Sequence, residues 1–475
     1  MNPSFPRILF LRGWADPKTT LNDEFQQSLE EGRDPGAIEH FRAQAAALDD
    51  AAHAELADIW YALQEIPIRA DFPFVEPSDL ESIRKERVTA EHRFPLTYGT
   101  DDLQDRMFGA WLGRCAGCAL GKPVEGFMGA HHGLSSKERL KKYLTAIAPN
   151  EYPIRNYIPG KSPASSETGD AGCEPSTREK IAFMETDDDI RYTVLGQRVL
   201  LKHGADFTTG HVAAEWMQSL GYELVCTAET QAYRNLVIRY RPSWGQFPAD
   251  TDWNWVATHQ NPYREWIGAQ IRADSWGYAA PGNPELAAEF AWRDARLSHV
   301  KNGIYGEMFC AAMIAAGFAL KDPLAVVEAG LAEIPRRSRL YAEMRETIEL
   351  CRKHGFRFEN YEAVFDEIYA RFGHYHEVHT NNNAALVVAA LLLGQEDFEK
   401  VITLAVMGGW DTDCNGATAG SIWGAMFGAA RLPQKWIAPL HDTLYSLIPD
   451  YHPIAISECA RRSAQIALKI NPSLA

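Results

Sequence analysis

Three short strings hold the acids whose spacing could do chemistry. Glu185-Thr186-Asp187-Asp188-Asp189 precedes an amphipathic run carrying Val194, Leu195 and Val199. The acids therefore fall at a helix N-terminus, where Thr186 can cap and the helix dipole favours negative charge. Capping accounts for one or two acids, and three behind a threonine exceed what it needs. Gly408-Gly409-Trp410-Asp411-Thr412-Asp413-Cys414-Asn415-Gly416 also leads into a helix pattern. Its Asp-x-Asp-x-Asn-Gly start mimics an EF-hand loop, but the twelfth position is Ile422, where that loop needs a bidentate Glu. Glu125 follows Gly121-Lys122-Pro123-Val124, on a turn past the end of a third helix.

The chemistry depends on whether these strings meet. Two carboxylates 4 Å apart at an effective dielectric of 20 repel by about 4 kcal/mol, and a helix dipole returns only about 0.3–1 kcal/mol. If Asp187, Asp188, Asp411 and Asp413 share one pocket, bound cations or protonated acids must make up the difference. Oxygen ligands of this hardness select Mg²⁺, Mn²⁺ or Ca²⁺ over Zn²⁺. Four or five carboxylates with a hydroxyl suit two ions that share ligands, orient substrate oxygens and activate water.

Other candidates are weaker. Cys115-x-x-Cys118 lies inside a helix pattern with no second pair, as two small buried side chains would. In His374-Tyr375-His376-Glu377-Val378-His379 the spacing misses the metalloprotease HExxH pattern by one residue, so a loop is expected, with Thr380 to Asn383 capping the next helix. No P-loop, nucleophile-elbow or dinucleotide fingerprint is present.

Two runs of glycine should position the acids. Gly109, Gly113, Gly117 and Gly121 recur every fourth residue, as do Gly416, Gly420, Gly424 and Gly428. On a helix each set makes one bare stripe. Four interior glycines cost a helix roughly 3–4 kcal/mol relative to alanine, which close backbone packing can offset. The stripes predict two central helices in tight contact. Further helix patterns cover 187–203, 208–221, 286–298, 303–320, 323–333, 338–354, 361–371, 383–393, 396–407 and 456–469, and strand-like alternation is scarce. The fold class is therefore all-α: a compact multi-helix unit over 101–475, preceded by an N-terminal helical extension and proline-punctuated connector over 1–100. The stretches 127–183 and 229–285 read as irregular.

The 475 residues are 46% hydrophobic and 23% charged, enough for a sizeable core. A net charge of −16 repels phosphate backbones and anionic lipid, arguing against nucleic acid or membrane as partner. Eight scattered cysteines do not form a disulfide framework, and neither a signal peptide nor a membrane span is legible, so a cytoplasmic protein is expected. The oligomeric state is not legible.

The motifs together resemble the ADP-ribosylglycohydrolase family, which includes the dinitrogenase reductase-activating glycohydrolases. The resemblance is carried by the glycine run ending in Pro123-Val124-Glu125, by Thr186-Asp187-Asp188, and by Gly409-x-Asp411-Thr412-Asp413-x-Asn415, in the family's order. More loosely, Gly268-Ala269-Gln270-Ile271-Arg272 is similar to a substrate-side loop, and Ser298-His299 to a segment near the nucleotide. The likeness spans about 101–126, 184–200, 265–320 and 380–430, leaving 1–100 and insertions at about 127–183 and 205–262 uncovered.

The resemblance implies two Mg²⁺ ions, with Mn²⁺ an alternative. Thr186, Asp187, Asp188, Asp411 and Asp413 would be ligands, and Glu125 would approach from its loop. It implies a hydrolase that cleaves the glycosidic bond of an ADP-ribosyl amino acid, protein or small molecule. The alternatives are a glycosidase for another ribosyl metabolite and a non-catalytic relative that binds ADP-ribose or metal. Gly268, Arg272, Ser298, His299, Gly408 and Gly409 are the expected substrate-binding positions, the glycines through backbone N–H groups. Trp253, Trp255, Tyr263, Trp266, Trp276 and Tyr278 are candidates for stacking on a ring. Three positions depart from the pattern: Cys414 replaces a Thr ligand, Asp189 replaces a Thr, and Cys118 replaces an Asp. Asp189 is expected to add negative charge behind the ligands.

Overall fold

The structure is a computed structural model that describes residues 13–50, 52–240 and 246–474. It is all-α apart from a two-stranded ribbon, Thr443–Leu444 with Ile454–Ala455. At its centre the helices Thr100–Gly121 and Thr412–Phe427 cross antiparallel. A Cβ on Gly113 would strike the Gly420 carbonyl, one on Gly117 the Gly416 carbonyl, and one on Gly109 the backbone of Gly424 and Gly428. The same holds in reverse from Gly416, Gly420 and Gly424. Backbone packs directly on backbone, which is the compensation the glycine stripes call for. Gly428 is the exception to the expected stripe: it stands just past the helix at φ +83° and ends it.

The helices Lys301–Gly317 and Thr380–Gly394 support this pair. Apart from Lys301 at the edge, their residues are buried, which fits the apolar runs that follow their polar first turns. The last long helix, Ile456–Ile470, is amphipathic and ties its inner face to the first glycine helix through Trp111 Nε1 and Ser463 Oγ at 3.0 Å.

Ahead of the connector, Pro17–Glu30, Pro35–Ala46 and His53–Gln64 enclose a small core of Leu21, Phe25, Ile38, Leu56, Trp60 and Leu63. Asp16 and Asp34 cap the first two helices, each followed by proline at the position where its missing N–H does no harm. Buried charge docks this segment: Arg264 holds Glu24 at 2.6 Å and Glu31 at 2.8 Å, and Lys301 reaches Glu31 at 3.3 Å. In the connector, Glu76 meets Arg339 at 2.8 Å.

Two stretches expected to be irregular contain helices. Ser136–Ile147 opens with a capping box between Ser135 and Glu138, a signal that was present in the sequence. Thr227–Arg239 lies in the second insertion, and its first residue has φ +39°. No helix among the described residues is long and apolar enough to cross a membrane. All eight cysteines are free thiols.

Candidate active site

The glycine crossing delivers the acids. Where the first glycine helix ends, Gly121 abuts the backbone of Thr412 and Asp413, and the Thr412 hydroxyl donates to the Gly121 carbonyl at 2.9 Å. The turn Lys122–Phe127 then carries Glu125 to the N-terminus of the second glycine helix. The helix Asp188–His203 is brought in by Arg114, buried in the first glycine helix, which bonds Asp189 Oδ1 at 2.9 Å and the Asp189 carbonyl at 2.8 Å. Arg114 also pairs with Asp274 at 2.6 Å.

Two groups of side chains converge there. Cys118, Asp187, Asp189 and Asp413 have potential ligand atoms within 4.8 Å of one another, as do Asp411, Asp413 and Cys414. The first-turn capping roles differ from expectation. Asp187, rather than Thr186, is the N-cap of its helix and accepts from Asp189 N at 3.0 Å. The Thr186 hydroxyl instead accepts from Arg191 at 2.9 Å. Asp411 stands at the N-cap position of the second glycine helix without making a side-chain cap bond.

The electrostatics follow from this crowding. Burial works to raise the Asp187 carboxyl, but the Lys122 ammonium bonded to it prevails and holds it below the usual range. Burial and the Asp187 charge push Asp188 up to about 6 and Asp413 up to about 7. Burial and Asp413 raise Asp411 well above an ordinary carboxyl. The Asp413 charge, with burial, pushes Glu125 to about 10. These five acids cannot all ionise together without added positive charge.

The residues present fit a hard cation. Asp411 Oδ1 and Asp413 Oδ1 are buried with no hydrogen-bond partner, on residues only 4% and 2% exposed. An ionised oxygen so placed is costly unless something positive meets it. Asn383, expected from the sequence only to cap a helix, and Asn415 of the acid motif steady this edge. Asn383 Oδ1 accepts from Asp411 N at 3.2 Å and from Asn415 Nδ2 at 2.8 Å, while its own amide donates to the Glu377 and His379 carbonyls at 2.8 Å.

The expected substrate-side residues are placed differently. Arg272 is buried and fully engaged, with Nε on Asp294 at 2.7 Å and Nη1 on Ser298 Oγ at 3.1 Å and on Glu229. Ser298 Oγ meets His299 Nδ1 at 2.8 Å. Arg272 and Ser298 are thus engaged in an internal network, whereas His299 Nε2 is buried without a hydrogen-bond partner. Gly268 is bare because the Glu229 carboxylate occupies the space of its Cβ. Burial pushes Glu229 itself up to about 7, against the pull of Arg272. Sequence spacing gave no sign of Glu229, which lies on an insertion helix.

The N–H groups of Gly408 and Gly409 are also taken, by the Leu404 and Val406 carbonyls at 3.0 Å. Gly409 instead serves geometry: at φ +78° it leaves room for Ser136 Oγ and the Tyr369 hydroxyl. Asp189 pairs with Arg114, a cation it shares with Asp274. Of the stacking candidates, Trp276 and Tyr278 are core residues, Trp276 stacked on Phe207 and Tyr278 bonded to Ser421 Oγ at 2.7 Å. Trp266 stacks on His376 with ring centres 4.0 Å apart. The His374 to His379 string forms no metal group among the described residues. His379 caps the helix Thr380–Gly394, accepting from Asn381 N.

A solved structure titled "ADP-ribosylglycohydrolase-related protein complex" is similar at 19% identity and a TM-score of 0.47, covering 78% of this chain and 99% of its own. No curated protein sequence matches the chain. The family model for ADP-ribosylglycohydrolase matches residues 99–464, which take in both glycine helices and every acid of the cluster. On that match the chain belongs to the ADP-ribosylglycohydrolase family of glycoside hydrolases.

Proposed function

We propose that this chain hydrolyses the glycosidic bond of an ADP-ribosyl compound with the help of a divalent cation held by Asp411 and Asp413, flanked by Glu125 and Asp188. The observation that carries the reading is the pair of buried, unpartnered oxygens, Asp411 Oδ1 and Asp413 Oδ1, at the meeting point of three helix ends. Oxygen donors favour Mg²⁺ or Mn²⁺. When bound, such an ion supplies a Lewis acid for ribose hydroxyls and lowers the pKa of water.

The chain's own residues supply the remainder. Carboxylates fixed on helix ends stabilise the positive charge that develops on the ribose as the bond breaks, without reorganising to do so. Asn383 keeps the Asp411 backbone in place. Glu125 approaches on a separate turn, where a carboxyl can exchange a proton with water at the reacting carbon.

Release of free ADP-ribose from a panel of ADP-ribosylated amino acids tests the reading. Activity should vanish with a chelator, return with Mg²⁺ or Mn²⁺, and be lost in Asp411→Asn. Turnover that persists through chelation would overturn the metal-dependent reading.

A further inference from the structure

We infer that Lys122 serves as a resident cation on Asp187, so that this chain takes one divalent ion, on Asp411 and Asp413, rather than two. The inference rests on the reading above that the acids hold a divalent cation.

The two acid groups differ in what remains free. In the first, both Asp187 oxygens are used: Oδ2 bonds the Lys122 ammonium and Oδ1 accepts from Asp189 N at 3.0 Å. Asp189 pairs at 2.9 Å with Arg114, which it shares with Asp274, although its second oxygen has no hydrogen bond. The remaining member apart from Asp413 is Cys118, a buried thiol that suits a soft metal better than Mg²⁺. The second group is the reverse. Asp411 Oδ1 and Asp413 Oδ1 are buried and have no hydrogen-bond partner; the Lys122 ammonium attracts the Asp413 charge without bonding either of these oxygens.

Lys122 is held where it is by the chain. It follows Gly121, whose backbone abuts Thr412 and Asp413, and it precedes Pro123, which fixes the next backbone angle. Its side chain is only 15% exposed, so the ammonium has given up much of its hydration and depends on Asp187 for compensation. A divalent ion placed on the same carboxylate would face that ammonium at close range in a site with little screening. The chain has thus put a permanent single charge where a second metal would stand.

Mn²⁺ is the probe, counted by calorimetric titration and read by its electron paramagnetic resonance signal, neither of which needs turnover. The wild type should bind one Mn²⁺ per chain with an uncoupled signal. Lys122→Gln should bind two, with the broadened signal of a spin-coupled pair. Asp187→Asn should leave the count at one, whereas Asp411→Asn should weaken binding at least tenfold. Two ions in the wild type would overturn the inference and leave the metal reading standing. One ion in a folded Lys122→Gln would also overturn it. If that variant does not fold, the wild-type count and the Asp187→Asn count decide. No Mn²⁺ bound by the wild type or by Lys122→Gln would overturn the metal reading itself.

Discussion

Gly117 and Gly416 face each other so closely that a Cβ on either would strike the carbonyl oxygen of the other. Their contact sets the depth at which one glycine helix sits on the other, and with it the distance between Glu125 and Asp413.

Gly117→Ala should therefore cost about 3 kcal/mol or more, the upper range for overpacking, because rigid backbone on both sides leaves no side chain to yield. Gly126→Ala, where a Cβ meets nothing within 4 Å, should change stability by under about 1 kcal/mol. Denaturant midpoints compare the two. Equal effects would show that the helix contact is not what the glycines serve.

The acid cluster should destabilise the metal-free protein. At about pH 8, Asp413 is ionised beside the charges of Asp187 and Asp188, since its carboxyl is raised only to about 7. Asp413→Asn removes one like charge and should raise the stability of the metal-free protein by about 1–3 kcal/mol. It should also abolish the rise in melting temperature that Mg²⁺ produces in the wild type. Thermal melts with and without Mg²⁺ measure both effects, and a variant less stable than the metal-free wild type would contradict the repulsion.

Arg264→Ala should cost about 3–5 kcal/mol, because it strands Glu24 and Glu31 as buried charges without their main partner. Limited proteolysis should then cut within residues 13–66 faster than in the wild type. Unchanged cleavage would mean that the segment is held by its apolar contacts alone.

His259 carries a pH signature. Burial, helped by Arg234 and Arg239, lowers its ring to about 4 in the folded protein, while the unfolded value is about 6.5. The folded state therefore prefers the neutral ring. Its contribution is complete above about pH 6.5 and falls as the pH drops toward 4, where the unfolded chain binds the extra proton. His259→Gln should flatten stability across that window, as read by unfolding at several pH values. A slope equal to that of the wild type would place the titration elsewhere.

The sequence by itself determined what repeats or clusters along the chain. The recurrence of glycine every fourth residue announced the central helix pair because bare helical stripes have one efficient use. Acids at two helix starts and on one turn named Glu125, Asp187, Asp188, Asp411 and Asp413, since so many carboxylates exceed what capping requires. Tertiary structure alone decided the partners. Folding alone sets the Lys122 ammonium on Asp187 and Arg114 against Asp189 and Asp274. Glu229 was invisible for the same reason, as were the partners that Asn383 holds and the carboxylates on Arg272, Asp294 and Glu229, which lie 22 and 43 residues away. A periodic pattern is a local property of the chain, whereas the partner of a buried charge is fixed only when distant segments exclude water together.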